Sequence, residues 1–165
     1  MKITTTAQDL ERIALQEKTL IFPHFDNASA LILGSLIQKI CIAEQVAVTI
    51  EIRLSGETIF FYAMPGVTPA NADWARRKRN TVELMRRSSY GVGLSLHAGG
   101  RTLEESMGLP LRDYASHGGS FPIQVAKLGY VGTVTVSGLP ERKDHAIVVS
   151  ALAEMCCIAL CDVEL

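Results

Sequence analysis

The chain has 165 residues, the usual size of one domain, and its 48% hydrophobic content fills a single core without help from disulfides or a structural metal. Disorder and collagen-like repeats are excluded. With 16 Lys and Arg against 17 Asp and Glu the net charge is −1, so no overall field draws the protein to nucleic acid or an anionic membrane, and any charge-based function is local.

Taken in order, Thr6-Ala7-Gln8-Asp9 offers a hydroxyl cap with a carboxylate three residues on, and Leu10, Ile13 and Ala14 follow at helical spacing. This first helix ends before Pro23. Asp26 caps a second helix, whose stripe of Ala30, Leu33, Ile37, Ile40 and Cys41 runs to about Glu44. Val46, Val48, Ile50, Ile52 and Leu54 then alternate with smaller or polar residues, and Ser55-Gly56-Glu57 turns the chain into a second strand over 58–64. A helix is predicted from about Asn71 to Arg87. The glycines at 91 and 93 leave 88–97 open between helix and strand. Short helical turns are expected at 102–107 and 111–114. A second hairpin pairs 121–126 with 130–137, and Asp144 is placed as the cap of a final helix carrying Ile147, Ala151, Met155, Ile158 and Leu160. With no β-α-β series, the order implies an α+β fold with an antiparallel sheet covered by helices on both faces, as one domain over 1–165.

Cys41, Cys156, Cys157 and Cys161 show no C-x-x-C spacing and are read as reduced core thiols. The N-terminus lacks the apolar run of a signal peptide. The longest apolar stretch, 146–160, contains Glu154 and is shorter than the ~20 residues that span a bilayer. A cytoplasmic location is expected.

Six bases lie between Arg76 and Arg87. At about 100° per residue, Trp74, Val82, Leu84 and Met85 share one broad side of the helix, while Arg76, Arg79, Arg86 and Arg87 form an outward, solvated face with Glu83 among them. Arg77 and Lys78 fall on the flanks of the apolar side, beside Trp74 and Thr81. A cation at the edge of a core needs a counter-charge. It meets a carboxylate, an anionic ligand or a neighbouring subunit, unless its stem merely snorkels to solvent. A nucleic-acid stripe is the weaker reading.

Ser116-His117-Gly118-Gly119-Ser120 precedes a strand, and glycines there let backbone amides approach a ligand. His117 is a candidate general base, metal or haem ligand, or simply a hydrogen-bonded loop residue. Ser137-Gly138-Leu139-Pro140 ends the last strand, and His145 follows Asp144 near wherever that turn folds back. Catalytic templates fit poorly: there is no G-x-S-x-G elbow, Walker loop, H-E-x-x-H helix or Rossmann fingerprint. No catalytic residue and no metal site is assigned.

Together, Trp74 to Val82, Ser88-Ser89, His117 to Ile123, and Val136 to Pro140 with Asp144-His145 resemble the UPF0303 family, whose relatives include the haem-binding and haem-degrading DUF336 proteins. The resemblance implies a profilin-like three-layer α-β-α sandwich, a cytosolic homo-oligomer, and a cleft into which the basic helix, the His-Gly-Gly loop and the Ser-Gly-Leu-Pro turn converge. The ligand-binding positions it suggests are Trp74, Arg77, Lys78, His117, Gly118, Gly119, Ser137, Gly138 and His145. Haem enters as a possible cofactor by analogy with the wider relatives, with His117 or His145 as axial ligand and Arg77 or Lys78 meeting propionates. Three readings follow: a pocket for a small anionic ligand, a non-enzymatic homo-oligomeric assembly module, and, with least support, an enzyme using His117 with Asp144.

Overall fold

In the computed structural model, which describes residues 6–165, the helices are α1 (Thr6–Thr19), α2 (Asn27–Ala43), α3 (Pro69–Met85), α4 (Ser89–Ala98), α5 (Leu103–Met107), α6 (Glu141–Met155) and α7 (Leu160–Val163). The strands are β1 (Thr49–Leu54), β2 (Glu57–Ala63), β3 (Ser120–Val125) and β4 (Gly129–Ser137). The reading of the first five residues as free of a signal peptide lies outside the described residues. The strands form one antiparallel sheet in the order β2-β1-β4-β3.

Residues directly opposite each other across antiparallel strands share a face, and here the two faces differ sharply. Ile50 opposes Val136, Ile52 opposes Val134, and Phe121 opposes the same Val134. These side chains join Leu33, Ile37 and Cys41 of α2 and Ile147, Ala151 and Leu152 of α6 in one apolar cluster. On the other face Thr49 opposes Ser137, Glu51 opposes Thr135, and Arg53 opposes Thr133. Helix α3 covers this polar face, touching β1, β3 and β4. The result is three layers: α3, the sheet, and α2 with α6.

Local chemistry fixes the helix starts. Asp26 accepts the Ser29 N–H at 2.9 Å while Ser29 Oγ accepts the Asp26 N–H, a reciprocal cap that holds the Asp26 carboxyl down at about 2, chiefly through the Ser29 amide and then His24. Pro69 opens α3 behind Thr68, whose N–H reaches Asn71 Oδ1.

Several expectations are corrected. The segment left open between helix and strand is helix α4, from Ser89: Ser88 caps it, and Gly93 is needed because a Cβ there would lie 2.0 Å from the Ser116 carbonyl oxygen. These glycines serve close packing. Residues 111–114 make only a turn, with Tyr114 N–H bonded to the Pro110 carbonyl. Helix α6 begins at Glu141 behind Pro140, so Asp144 lies inside its first turn and is not its cap. The same helix stops at Met155, and Cys157, at φ +56°, turns the chain towards α7. Of the cysteines only Cys41 is in the core; Cys157 and Cys161 are exposed. Burial pushes the Cys41 and Cys156 thiols up to about 11.

The basic helix departs most from the sequence reading. Arg79 is no solvated residue: its Nη1 donates to both Glu51 carboxylate oxygens, at 2.9 and 3.0 Å. Arg76 holds Asp73 and Asp113, Arg87 leans on Glu17, and Glu83 pairs with Arg53 of β1 at 3.1 Å. The polar sheet face supplies the partners of Arg79 and Glu83, while Arg76 and Arg87 find theirs in α3 itself, the 113 loop and α1.

Candidate functional site

Asn71, Trp74 and Lys78 fall at i, i+3 and i+7 along α3 and make one stripe. That stripe faces the end of β4, where the chain leaves the sheet through Ser137-Gly138-Leu139 and starts α6. Lys78 reaches across this end and its Nζ lies 2.7 Å from Asp144 Oδ2, with the Val136 carbonyl at 3.3 Å. Asp144 also accepts the Leu139 N–H at 3.0 Å and the Gly138 N–H at 3.3 Å. Both side chains are almost wholly buried. Burial raises the Asp144 carboxyl above its ordinary range, against the opposing pull of Lys78 and the two amides.

The glycines of the 118–119 loop make room for this pair. Gly119 has φ +126°, and a Cβ on it would sit 2.3 Å from the Val136 carbonyl oxygen and 2.9 Å from Lys78 Nζ. At Gly118 a Cβ would strike the Glu141 carbonyl at 2.2 Å, while its N–H points to Glu141 Oε2 at 3.4 Å. His117, just before them, is exposed and sets its imidazole edge-on to the Trp74 indole with ring centroids 5.0 Å apart. Over the same indole lies the Arg77 guanidinium, 4.2 Å from the ring centroid.

The cleft bounded by these groups has a volume of about 250 Å³, and Trp74, Lys78, His117, Ser137, Gly138 and Asp144 all line it. Gly118 and Gly119 support it through the backbone; Arg77 flanks it through Trp74. Sequence reasoning missed Asn71, Leu139 and Glu141, which also line it. The i, i+3, i+7 stripe could have found Asn71, and the position of Glu141 directly after the Ser-Gly-Leu-Pro turn could have found the acid.

His145 belongs elsewhere. Its side chain is fully buried, packed beside Tyr90 and Phe121, and Nε2 lies 2.8 Å from Gln16 Oε1. Gln16 spends its amide N–H on the Val163 carbonyl at 2.6 Å, so its oxygen accepts and His145 Nε2–H donates. Nδ1 is left buried without a partner. Desolvation, and secondarily Arg142, pushes the imidazole down to about 3, keeping it neutral. Neighbours on a helix point about 100° apart; Asp144 faces the cleft and His145 the interior.

Charge in the cleft is largely internal. Lys78 is answered by Asp144, and Glu141 adds a carboxylate at the rim. Among the described residues Arg77 is the cation of α3 with neither a carboxylate nor a hydrogen-bond partner for its guanidinium, and its Nε is buried and unbonded. Among the described residues no cluster of three or more His, Cys, Asp or Glu is arranged to hold a metal ion, and no helix is long and apolar enough to cross a membrane.

Comparison with known proteins places the chain in a family and a shared fold. Residues 25–153 match the family described as "Haem degrading protein HbpS-like". A UPF0303 protein of Azotobacter vinelandii is 56% identical over 148 residues, covering 90% of this chain and 89% of that protein. The crystal structure of Ybr137w superposes with a TM-score of 0.83 at 29% identity, over 89% of this chain and 87% of that one. The crystal structure of a PduOC:haem complex shares the fold, with a TM-score of 0.67 at 18% identity over 81% of this chain and 94% of that one.

Proposed function

Because the chain belongs to the HbpS-like family, and within it stands with the UPF0303 proteins, we propose that it binds a small anionic ligand at the cleft where Trp74, Arg77 and His117 meet. The observation that carries this reading is the state of Arg77: its guanidinium lies on an aromatic face with no internal counter-charge, while Arg76, Lys78 and Arg79 along the same helix are each paired within the protein. A free guanidinium beside an indole and a solvent-reachable imidazole suits a carboxylate joined to a planar or apolar body. The Lys78–Asp144 pair, in this reading, sets the floor by tying the 138–139 turn to α3 and does not itself touch the ligand's charge.

Trp74 is the only tryptophan, so its fluorescence reports on the cleft directly. Titration with benzoate is expected to change that fluorescence saturably, and Arg77→Ala is expected to weaken binding roughly tenfold or more, the worth of one charge-assisted hydrogen bond. A flat titration of the native protein, or equal affinity in the variant, defeats the proposal.

Haem is a second reading, favoured by the family's description and by the haem bound to the structural relative PduOC. The cleft, at about 250 Å³, is smaller than the roughly 300–1,000 Å³ that encloses a drug-sized ligand, so a macrocycle would rest across its mouth. His117 would hold the iron, Arg77 would meet a propionate and Trp74 would give an apolar wall, and the iron would bring redox and ligand-binding chemistry. His145, buried and held by Gln16, takes no part. A Soret band that forms with the native protein and with His145→Gln but is lost in His117→Ala is the expected result; an unchanged spectrum in His117→Ala removes that residue as ligand.

The protein works in this reading as a cytosolic homo-oligomer. Leu31, Ile32 and Ile42 of α2 and Phe61 of β2 are more than half exposed, apolar surface that a second copy would cover. Light scattering on Arg77→Glu separates ligand site from subunit contact: an unchanged mass is expected, and dissociation would place Arg77 in an interface.

A further inference from the structure

A second cavity, of about 370 Å³, opens between the end of α3, α4 and α5 and shares no lining residue with the cleft. Met85, Val92, Leu96, Leu103 and Met107 make most of its wall, with the hydroxyls of Ser95 and Ser106 among them. Val92 and Leu103 are buried in it, Leu96 is half-buried, and Met107 stands 48% exposed at its edge. On helix α4 both Leu94 and Leu96 remain partly open to water, beside the half-buried Ser95 and the exposed His97. The charged lining is Arg87 and Arg101, and no acid among the described residues lines the cavity. Arg87 is steadied by Glu17 at 3.7 Å and by Ser95 Oγ at 3.3 Å. Arg101 is exposed, with no carboxylate within ion-pair distance among the described residues. An apolar trough of this size ending in guanidinium groups complements an amphiphile with a short hydrocarbon tail and an anionic head.

We propose that this cavity is a binding site for a medium-chain fatty acid, its tail lying between Leu96, Leu103 and Met107 and its carboxylate on Arg101, with Arg87 as a second donor. Methionine at the edge suits a tail of variable length, because its unbranched side chain refits easily.

The test is calorimetric titration of the full chain with hexanoate, octanoate and decanoate, below their micelle concentrations, alongside octanol. Saturable binding should tighten about fourfold per added methylene until the cavity is full. Arg101→Ala should weaken octanoate at least tenfold and leave octanol unchanged. Backbone amide resonances of Gly99 and Ser106 should shift on addition of octanoate while those of Gly118 and Gly119 stay in place. Absence of saturation, equal octanoate affinity in Arg101→Ala, or shifts confined to Gly118 and Gly119 would each overturn the assignment. So would a fall in sedimenting mass on Met107→Glu in a protein that takes up no octanoate, which would give the trough to a second copy of the chain.

Discussion

The two sides of the sheet solve the same packing problem in opposite ways. Against α2 and α6 the strands present Ile50, Ile52, Phe121, Val134 and Val136, and the interface is predominantly hydrocarbon, with His145 of α6 beside Phe121 as its buried polar member. Against α3 they present Glu51, Arg53, Thr133 and Thr135, and the helix replies with Arg79, Glu83 and Lys78. The apolar side is non-directional and tolerant of volume-conserving change. Its partner side depends on geometry, because each buried charge is costly unless its counterpart stays within reach. That directional side is where the cleft lies. A layer built from fixed pairs holds Trp74, Ser137 and the 138–139 turn in register in a way that interchangeable methyl groups would not.

Lys78 tests this contrast most severely. Lys78→Met is expected to cost about 3–5 kcal/mol by stranding the Asp144 carboxylate in the interior, and a compensating Asp144→Leu in the same chain should recover most of that loss. Urea unfolding of the single and double variants measures both; a double variant no more stable than the single would mean that the 138–139 amides, and not Lys78, set the value of Asp144.

The next effect is titratable and belongs to the apolar side. His145 has its folded value lowered to about 3 from an ordinary 6.5, so between those values the unfolded chain binds more protons and stability falls as pH drops. Full benefit is present above pH 6.5. By pH 4.5 the loss reaches about 2–3 kcal/mol, and His145→Gln should flatten this slope. Asp144, raised by burial, acts with the opposite sign: its protonated form favours the folded state, and that contribution fades as pH climbs above 3.8. The variant-to-native difference therefore isolates the imidazole.

A double-mutant cycle on Arg79 and Glu51, partly buried and bonded through both carboxylate oxygens, should return a coupling of roughly 1.5–3 kcal/mol. Coupling near zero would reduce the α3 face to ordinary surface pairing. Smallest of all, Arg77→Ala should cost about 0.5–1 kcal/mol of stability, the worth of its stacking on Trp74, since it breaks no ion pair, while still lowering benzoate affinity.

Much of the architecture was legible before any coordinates. Alternation over 46–54 and the Ser55-Gly56 turn announced the first hairpin, and the absence of β-α-β order announced the antiparallel sheet. Trp74, Lys78, His117, Ser137 and Gly138 were also identified, and they do share a cleft. What failed has a common cause. Arg79 read as solvated because nothing in a helix sequence shows that the surface opposite is polar, although Glu51 and Arg53 in a hydrophobic strand were the clue; Arg76 is held by Asp73 of its own helix and by Asp113 of a loop. Gly91 and Gly93 weakened the helical reading of α4 because propensity is blind to the Ser116 carbonyl that demands a missing side chain. His145 was drawn into the site by sequence adjacency, which on a helix means divergence.

One edge of the sheet is already occupied at one end. Phe22 bridges to Val125 in parallel, its N–H bonding the Gln124 carbonyl and its carbonyl accepting the Ala126 N–H, and β3 also carries Pro122, which has no N–H to offer a newcomer. The opposite border, β2, has no strand beyond it in the sheet among the described residues. The two borders are therefore unequal hosts for strand addition between molecules: β2 offers unpaired backbone groups along its outer side, whereas β3 is bridged at its Val125 end and interrupted by Pro122.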